Sequence, residues 1–232
     1  KDVGLPAPMS MDEVRSGRAG KSKTIFITDE GRSGIFSYSA SNKQSDDSSM
    51  VIVSENGRFV RNADILYPSY FGAVGDGKTD DTKSIQKCFN YVRSNQTIDF
   101  QGLTYKFDIV KLNQINVILK GSGAKMLGTL SIGDYKKKEY NVRISGFYFD
   151  SKSDAILIQN VRKLEITQNT FNKSNRSIYV LPESKETHAN AMVEVNKNTF
   201  NDVNYCLFID RDPKASWMVS SDFTFEGNLC HS

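Results

Sequence analysis

The residues best placed by type and spacing to do chemistry are three carboxylates, Glu183, Asp210 and Asp212, with Arg211 and Trp217 nearby. Glu183 lies 12 residues after Phe171, and Asp212 lies 12 residues after Phe200, in two copies of one Asn-Thr-Phe motif. If the copies stack as neighbouring strands of one sheet, the two carboxylates come within ~5 Å of each other. That is the spacing of a retaining glycosidase pair, in which one group donates a proton and the other attacks or stabilises developing positive charge. An inverting pair stands further apart, and Asp210 with Glu183 is the substitute that would serve. Trp217, the one tryptophan, offers a flat apolar ring to a sugar face or to a subunit contact, and Arg211 offers a charged donor for substrate. The competing reading leaves these carboxylates as solvated loop groups paired with Lys185, Arg211 or Lys214.

A second stretch, Gly72 to Thr79, matches the pattern G-x-x-x-x-G-K-T of nucleotide-binding loops. Backbone N–H groups would there cradle phosphates, and Lys78 would reach the β/γ-phosphates. Such a loop needs a buried strand before it and crossover helices after it. Ile65-Leu66-Tyr67 is short and stopped by Pro68, Thr97-Ile98-Asp99 is a poor second motif, and no further helical pattern follows. The stretch is therefore read as a glycine-rich turn. Asp80 or Asp81 then caps one helix, in which Ile85, Cys88, Phe89 and Val92 recur at helical spacing.

The elements that must position the carboxylates repeat along the chain. Asn169-Thr170-Phe171 recurs as Asn198-Thr199-Phe200 and, degraded, as Asn228-Leu229-Cys230, with Phe147-Tyr148-Phe149 one repeat earlier. From Phe149 to Phe171, Phe200 and Cys230 the periods are 22, 29 and 30 residues, which indicates a solenoid. A second strand follows each motif: Ile156-Leu157-Ile158, Ile178-Tyr179-Val180 and Leu207-Phe208-Ile209. Stacked coils would bury one apolar column and pair each strand with the coil above and below. In-register Asn169, Asn198 and Asn228 would then form a side-chain ladder. The lengthened periods place insertions at one corner of two successive coils, Pro182 to Asn190 and Arg211 to Ser221, as a wall beside the second strand. A helix over residues 80–94 would cover the open edge of the first coil.

Before these coils stands a small β module. Thr24–Ile27 and Ile35–Tyr38 flank a turn at Asp29–Gly34, and Met50–Val53 and Arg58–Val60 bracket Glu55-Asn56-Gly57, a hairpin signal. A short helix is expected around Met11 to Ser16, and the polar stretch Ser39 to Ser49 should loop out. The predicted organisation is a module at 1–62, a connector with the capping helix at 63–95, and coils from 96 to 232.

Thirty Lys and Arg against 27 Asp and Glu give a net charge of +3, too balanced to call for nucleic acid. Cys88, Cys206 and Cys230 show no C-x-x-C spacing and their odd number closes no full disulfide framework, so they are expected as free thiols. With His188 and His231 the only histidines, no multi-histidine metal site can form, and neither metal nor cofactor is expected. No apolar run reaches the ~20 residues of a membrane span, and the N-terminus has no apolar signal core. A start other than Met, and a stop inside the repeat, suggest an excised fragment with coils beyond residue 232.

Tyr70-Phe71-Gly72-Ala73-Val74-Gly75-Asp76-Gly77-Lys78-Thr79-Asp80-Asp81-Thr82-Lys83-Ser84-Ile85-Gln86 resembles the opening signature of the pectate-lyase-like right-handed parallel β-helix superfamily, as used in bacteriophage tailspikes. The resemblance runs from about Tyr67 to Ser232, and the module ending in Gly57-Arg58-Phe59-Val60-Arg61 is similar to those that precede such helices. It implies an all-β chain: a parallel β-helix capped by one short α-helix and preceded by a small β module. It further implies a homotrimer on a virion tail, outside the cell, contacting other tail proteins through residues 1–62 and binding a host-surface polysaccharide. Cleavage of that polysaccharide, by hydrolysis before β-elimination, is the leading expectation for the parent protein. A non-enzymatic fibre segment and a secreted bacterial lyase or hydrolase are the alternatives, because members of one fold carry different sites.

Overall fold

A computed structural model describes residues 8–133, 140–181, 192–210 and 222–231. The chain divides into two compact units, Lys1–Asp64 with Ser69–Ala73, and Ile65–Pro68 with Val74–Ser232.

The first unit contains β1 (Pro8–Met9), α1 (Met11–Arg15), β2 (Thr24–Ile27), β3 (Gly34–Ser39), β4 (Val51–Ser54) and β5 (Gly57–Arg61). They form one sheet in the order β1-β2-β3-β5-β4, parallel only where β1 joins β2. Both hairpins fall where the turn residues placed them. Ser10 and Glu13 close a reciprocal capping box on α1, with bonds of 3.2 and 2.8 Å. Met9, Met11, Val14, Ile25, Ile27, Phe36, Ile52 and Phe59 make its core.

The polar stretch before β4 forms no strand, but it is held down by two aspartates. One Asp47 oxygen accepts the N–H groups of Ser49, Met50 and Val51 at 2.8–2.9 Å. Asp46 accepts two bonds from Arg15, at 2.8 and 3.0 Å, and one from the Val53 N–H at 2.9 Å. Arg61 is buried between the rings of Phe36 and Tyr70, 4.5 and 3.8 Å from their centroids, and donates to the carbonyls of Ser49, Ser33 and Arg32. Burial pushes its guanidinium down to about 10.

The second unit is a β-solenoid. Its opening turn is β6 (Ile65–Leu66), β7 (Asp76–Asp80) and α2 (Thr82–Tyr91). Three strands per coil follow: β8 (Thr97–Asp99), β9 (Thr104–Lys106), β10 (Ile109–Leu112); β11 (Val117–Lys120), β12 (Lys125–Met126), β13 (Thr129–Ile132); β14 (Asn141–Ser145), β15 (Tyr148–Asp150), β16 (Asp154–Ile158). Next come β17 (Lys163–Thr167), β18 (Thr170–Asn172), β19 (Arg176–Val180); β20 (Met192–Asn196), β21 (Thr199–Asn201), β22 (Tyr205–Ile209); then β23 (Asp222–Glu226) and β24 (Leu229–His231). Corresponding strands build three parallel sheets: a first from β6 to β23, a second from β7 to β24, and a third from β10 to β22.

Inward side chains form continuous columns. Phe149, Phe171 and Phe200 stack with centroids 4.9 Å apart and planes 7° from parallel, the spacing of the strands themselves. At the corner before them the asparagine ladder is present. Asn169 Nδ2 donates to Asn198 Oδ1 and Asn198 Nδ2 to Asn228 Oδ1, each at 3.1 Å. Each Oδ1 also takes a backbone N–H of the preceding coil: Phe147 at 3.0 Å, Asn169 at 2.9 Å and Asn198 at 2.8 Å. These amides satisfy backbone groups that a buried turn would otherwise leave unpaired. The residue just before each ladder position, Gln168, Lys197 or Gly227, has φ between 57° and 73°, as does Gly146 before the corresponding Phe147.

The α2 helix stands where the opening turn would carry its third-sheet strand, and it seals the exposed edge of β10. Thr82 Oγ1 accepts the Asp108 N–H at 2.9 Å. Gln86 acts as a surrogate peptide, its Oε1 accepting the Lys111 N–H at 2.8 Å and its Nε2 donating to the Lys111 carbonyl at 3.0 Å. Among the described residues, α2 is the one helix longer than five residues.

The glycine-rich stretch differs from expectation in one respect. Residues 76–80 are a strand, β7, that pairs with β9 only at its ends, Asp76 with Thr104 and Asp80 with Lys106, because Asp76 accepts the Lys78 and Thr79 N–H groups and bulges the residues between. Asp81 is the N-cap residue of α2 but makes no side-chain cap bond; its two oxygens accept the N–H groups of Val74 and Gly75, at 2.7 and 3.0 Å.

Candidate functional site

The nucleotide-binding reading fails on hydrogen bonding. The N–H groups that would cradle phosphate are already taken: Val74 and Gly75 by Asp81, and Lys78 and Thr79 by Asp76 at 2.8 and 2.7 Å. These backbone bonds hold the Asp76 carboxyl below its ordinary range, so the loop carries fixed negative charge where an anion would sit.

The outer surface of the third sheet is a stronger candidate. Register aligns Asp154 with Arg176 and Tyr205, and Leu157 with Tyr179 and Phe208, in three successive coils. Arg176 grips Asp154 through two parallel bonds of 2.7 Å each. The guanidinium carbon lies 3.7 Å from the Tyr179 ring centroid and 5.5 Å from that of Phe208. Tyr179 and Tyr205 each meet Phe208 edge to face, at 5.6 and 5.2 Å. The Tyr179 hydroxyl donates to Asp210 Oδ2 at 2.7 Å. Burial pushes the Tyr179 phenol up, and the bond to Asp210 pushes it the same way, so it stays a protonated donor at neutral pH.

Each side chain is placed by the alternation of its strand. In Ile178-Tyr179-Val180 and Leu207-Phe208-Ile209 the aromatic residue points away from the lumen while Ile178 and Leu207 point into it. Asp154, pinned by Arg176, orients the guanidinium over the Tyr179 ring. The result is a patch of rings from two coils, Tyr179 almost buried beneath Arg176 and Tyr205 half-exposed (49%), with the Asp154–Arg176 ion pair at one end and a carboxylate at the other. Flat rings beside charged hydrogen-bonding groups suit a sugar, whose faces are apolar and whose rim is hydroxylated.

Of the residues singled out by sequence, Asp210 is the one placed here. Glu183, Arg211, Asp212 and Trp217 lie outside the described residues. The two long insertions follow strands β19 and β22, whose ends Val180 and Ile209 are register partners. Asp154 and Asp210 are not a catalytic pair with each other: two coils and five strand positions separate their backbones by roughly 19 Å. Asp154, Arg176, Tyr179, Tyr205 and Phe208 were missed by spacing because each reads as part of a strand; an aromatic residue in the middle place of two aligned apolar runs was the available signal.

A second concavity, a cleft of about 320 Å³ on the first sheet, is lined by Asn116, Ile118, Asn141, Arg143, Lys163 and Glu165 among others. Its polar groups answer one another. Glu165 pairs with Arg143 at 2.6 Å and Lys163 at 3.2 Å, and Asn141 donates to Asn116 at 2.9 Å. Among the described residues no group of three or more metal-ligating side chains occurs, and no helix is long and apolar enough to cross a membrane.

Residues 73–117, which span the aspartate-bound turn, α2 and the first full coil, match the family described as the N-terminal extension of bacteriophage endosialidase. No curated protein matches the sequence. Among solved structures, the tailspike protein of Acinetobacter baumannii phage AM24 is similar over 97% of this chain, at 13% identity and a TM-score of 0.52. The ORF18 protein of Geobacillus virus E2 is similar over 94% of it, at 14% identity and a TM-score of 0.48. The tailspike gp49 of Acinetobacter baumannii bacteriophage Fri1, described as a capsular polysaccharide depolymerase, is similar over 97%, at 13% identity and a TM-score of 0.46. The chain spans 55% of the AM24 protein and 60% of each of the other two. At 13% identity the likeness to the AM24 protein is one of fold alone.

Proposed function

We propose that this chain belongs to a tailspike-like protein on a phage tail, acting outside the cell, and that the outer face of its third sheet binds a host-surface polysaccharide. The observation that carries the reading is the strip Arg176, Tyr179, Tyr205 and Phe208 closed by Asp210, standing beside the strand ends from which the two insertions leave. The match of residues 73–117 to a bacteriophage endosialidase extension and the fold shared with the AM24 tailspike support the setting.

In this reading a glycan lies along the solenoid axis, crossing coils at ~4.8 Å per step, close to the length of one pyranose unit. The rings take the sugar faces, and Arg176 and Asp210 take the rim hydroxyls or a carboxylate substituent. Cleavage, by hydrolysis, falls to Glu183 and Asp212 as the acid and its partner, with Asp210 held in place by Tyr179 and with Arg211 and Trp217 as further substrate contacts. The protein acts as a homotrimer, and residues 1–62 join it to other tail proteins.

The test is binding and cleavage of purified capsule, O-antigen or teichoic acid from a susceptible host. Tyr179→Ala and Phe208→Ala should weaken binding at least tenfold, whereas Glu183→Gln and Asp212→Asn should abolish new reducing ends and leave binding intact. Unchanged binding in both aromatic variants would sink the proposed face; unchanged cleavage in both carboxylate variants would sink the proposed acids.

A further inference from the structure

Cys206 and Cys230 are far apart in sequence, in different sheets and successive coils, yet their sulfurs lie 3.2 Å from each other. The register explains how. Cys230 pairs with Phe200 and so takes the next place in the Phe149, Phe171, Phe200 column. Cys206 falls between Tyr205 and Leu207, the partners of Arg176 and Ile178, and so takes the place of the fully buried Ser177. Two neighbouring interior columns thus change to cysteine in adjacent coils, and the small thiol at 230 leaves room for its partner to reach across.

We propose that Cys206 and Cys230 are an oxidisable pair that forms an intrachain disulfide, fastening β24 to β22, when the protein meets a low-molecular-weight disulfide. The chemistry is two successive thiol–disulfide exchanges. The exposed Cys230 thiolate attacks one sulfur of RSSR, forming a protein–S–S–R bond and releasing RS⁻. The Cys206 thiolate then attacks the Cys230 sulfur, forms the internal bond and releases the second RS⁻. Two protein thiols are oxidised, one RSSR is reduced to two RSH, and the two protein protons end on the released thiolates. The order follows from exposure: burial, with the contact to Cys230, pushes the Cys206 thiol up to about 12, so it serves as the resolving group. A bond in this position needs the sulfurs to close from 3.2 Å to ~2.05 Å. Cys88 is fully buried on the inner face of α2, where burial also pushes its thiol up, and it remains reduced as an internal control.

The test is to incubate the chain with oxidised glutathione in mildly alkaline buffer and to follow free thiols, intact mass and peptide maps. The expected result is loss of two of the three thiols, a mass lower by two hydrogens, a linked Cys206–Cys230 peptide, and a melting temperature raised by a few degrees and restored by reductant. Cys206→Ser should instead accumulate a stable glutathione adduct on Cys230. Retention of all three thiols, stable adducts on both cysteines of the wild-type chain, or linkage between chains would overturn the proposal. The wild-type peptide map decides the matter even if the serine variant folds poorly.

Discussion

Tyr105 shows how a single atom can be a cost within an otherwise satisfied interior. Its ring is fully buried and meets Phe100 edge to face at 5.3 Å, but its hydroxyl finds no partner among the described residues, and burial pushes the phenol up. Tyr105→Phe keeps the ring and removes the unpaired group, so it should be neutral or stabilising by up to about 1 kcal/mol in urea unfolding. A loss of stability would mean that the hydroxyl is bonded. In the N-terminal unit the balance is electrostatic. Burial pushes the Asp46 carboxyl up, but Arg15 and the Val53 and Ser48 N–H groups more than offset this and hold it at about 2. A carboxyl depressed in the folded state stabilises above its unfolded value near 4 and loses that contribution as pH falls toward 2. Acid unfolding of this unit should therefore steepen between about pH 4 and 2. Asp46→Asn should flatten that slope and cost about 1 kcal/mol at neutral pH, the pair being partly screened by solvent.

At the scale of elements, the asparagine ladder does for the corner what backbone pairing does for the sheets. Asn198 is almost completely buried, and Asn198→Ala removes the acceptor of the Asn169 N–H while breaking bonds to Asn169, Asn228 and the Ile166 carbonyl. A loss of about 3 kcal/mol is expected in urea unfolding, because buried donors are left unpaired; Asn198→Asp should be no better, since its second oxygen would face the Ile166 and Asn196 carbonyls and Asn228 Oδ1. This ladder and the Phe149–Phe171–Phe200 stack were legible because identical chemistry must recur wherever identical environments stack. The first sheet was not: its inward pairs Val142/Ile144, Leu164/Ile166 and Val193/Val195 are interchangeable aliphatics between changing polar residues. Strand β7 was hidden for the opposite reason, since Asp-Gly-Lys-Thr-Asp is turn chemistry, bulged by Asp76 on the Lys78 and Thr79 N–H groups, and pairs with β9 only at its two ends. Of the candidates read from sequence, Asp210 is the one among the described residues. Tyr179 and Phe208 stand inside apolar runs and look like core until register decides which face each occupies.

The whole molecule joins a module with its own small core to a quasi-one-dimensional stack, and the two should respond differently to stress. In a stack each coil is stabilised by its neighbours, so amide exchange should be slowest in the coils of β14–β16 and β17–β19, and fastest in β23 and β24, which pair on one side only. Uniform protection along the stack would contradict nearest-neighbour stabilisation. The proposed trimer makes a separate demand, a solution mass of three chains by light scattering, with one-chain mass counting against it. The seal that Gln86 and Thr82 place on β10 bears on how such a stack is made. A peptide-like side chain closes the outer edge of the third sheet at β10, so strands of that sheet find a template on one side only. Growth of the third sheet is thereby one-directional: with the β10 edge closed, its strands can be added only on the side where β13, β16, β19 and β22 follow.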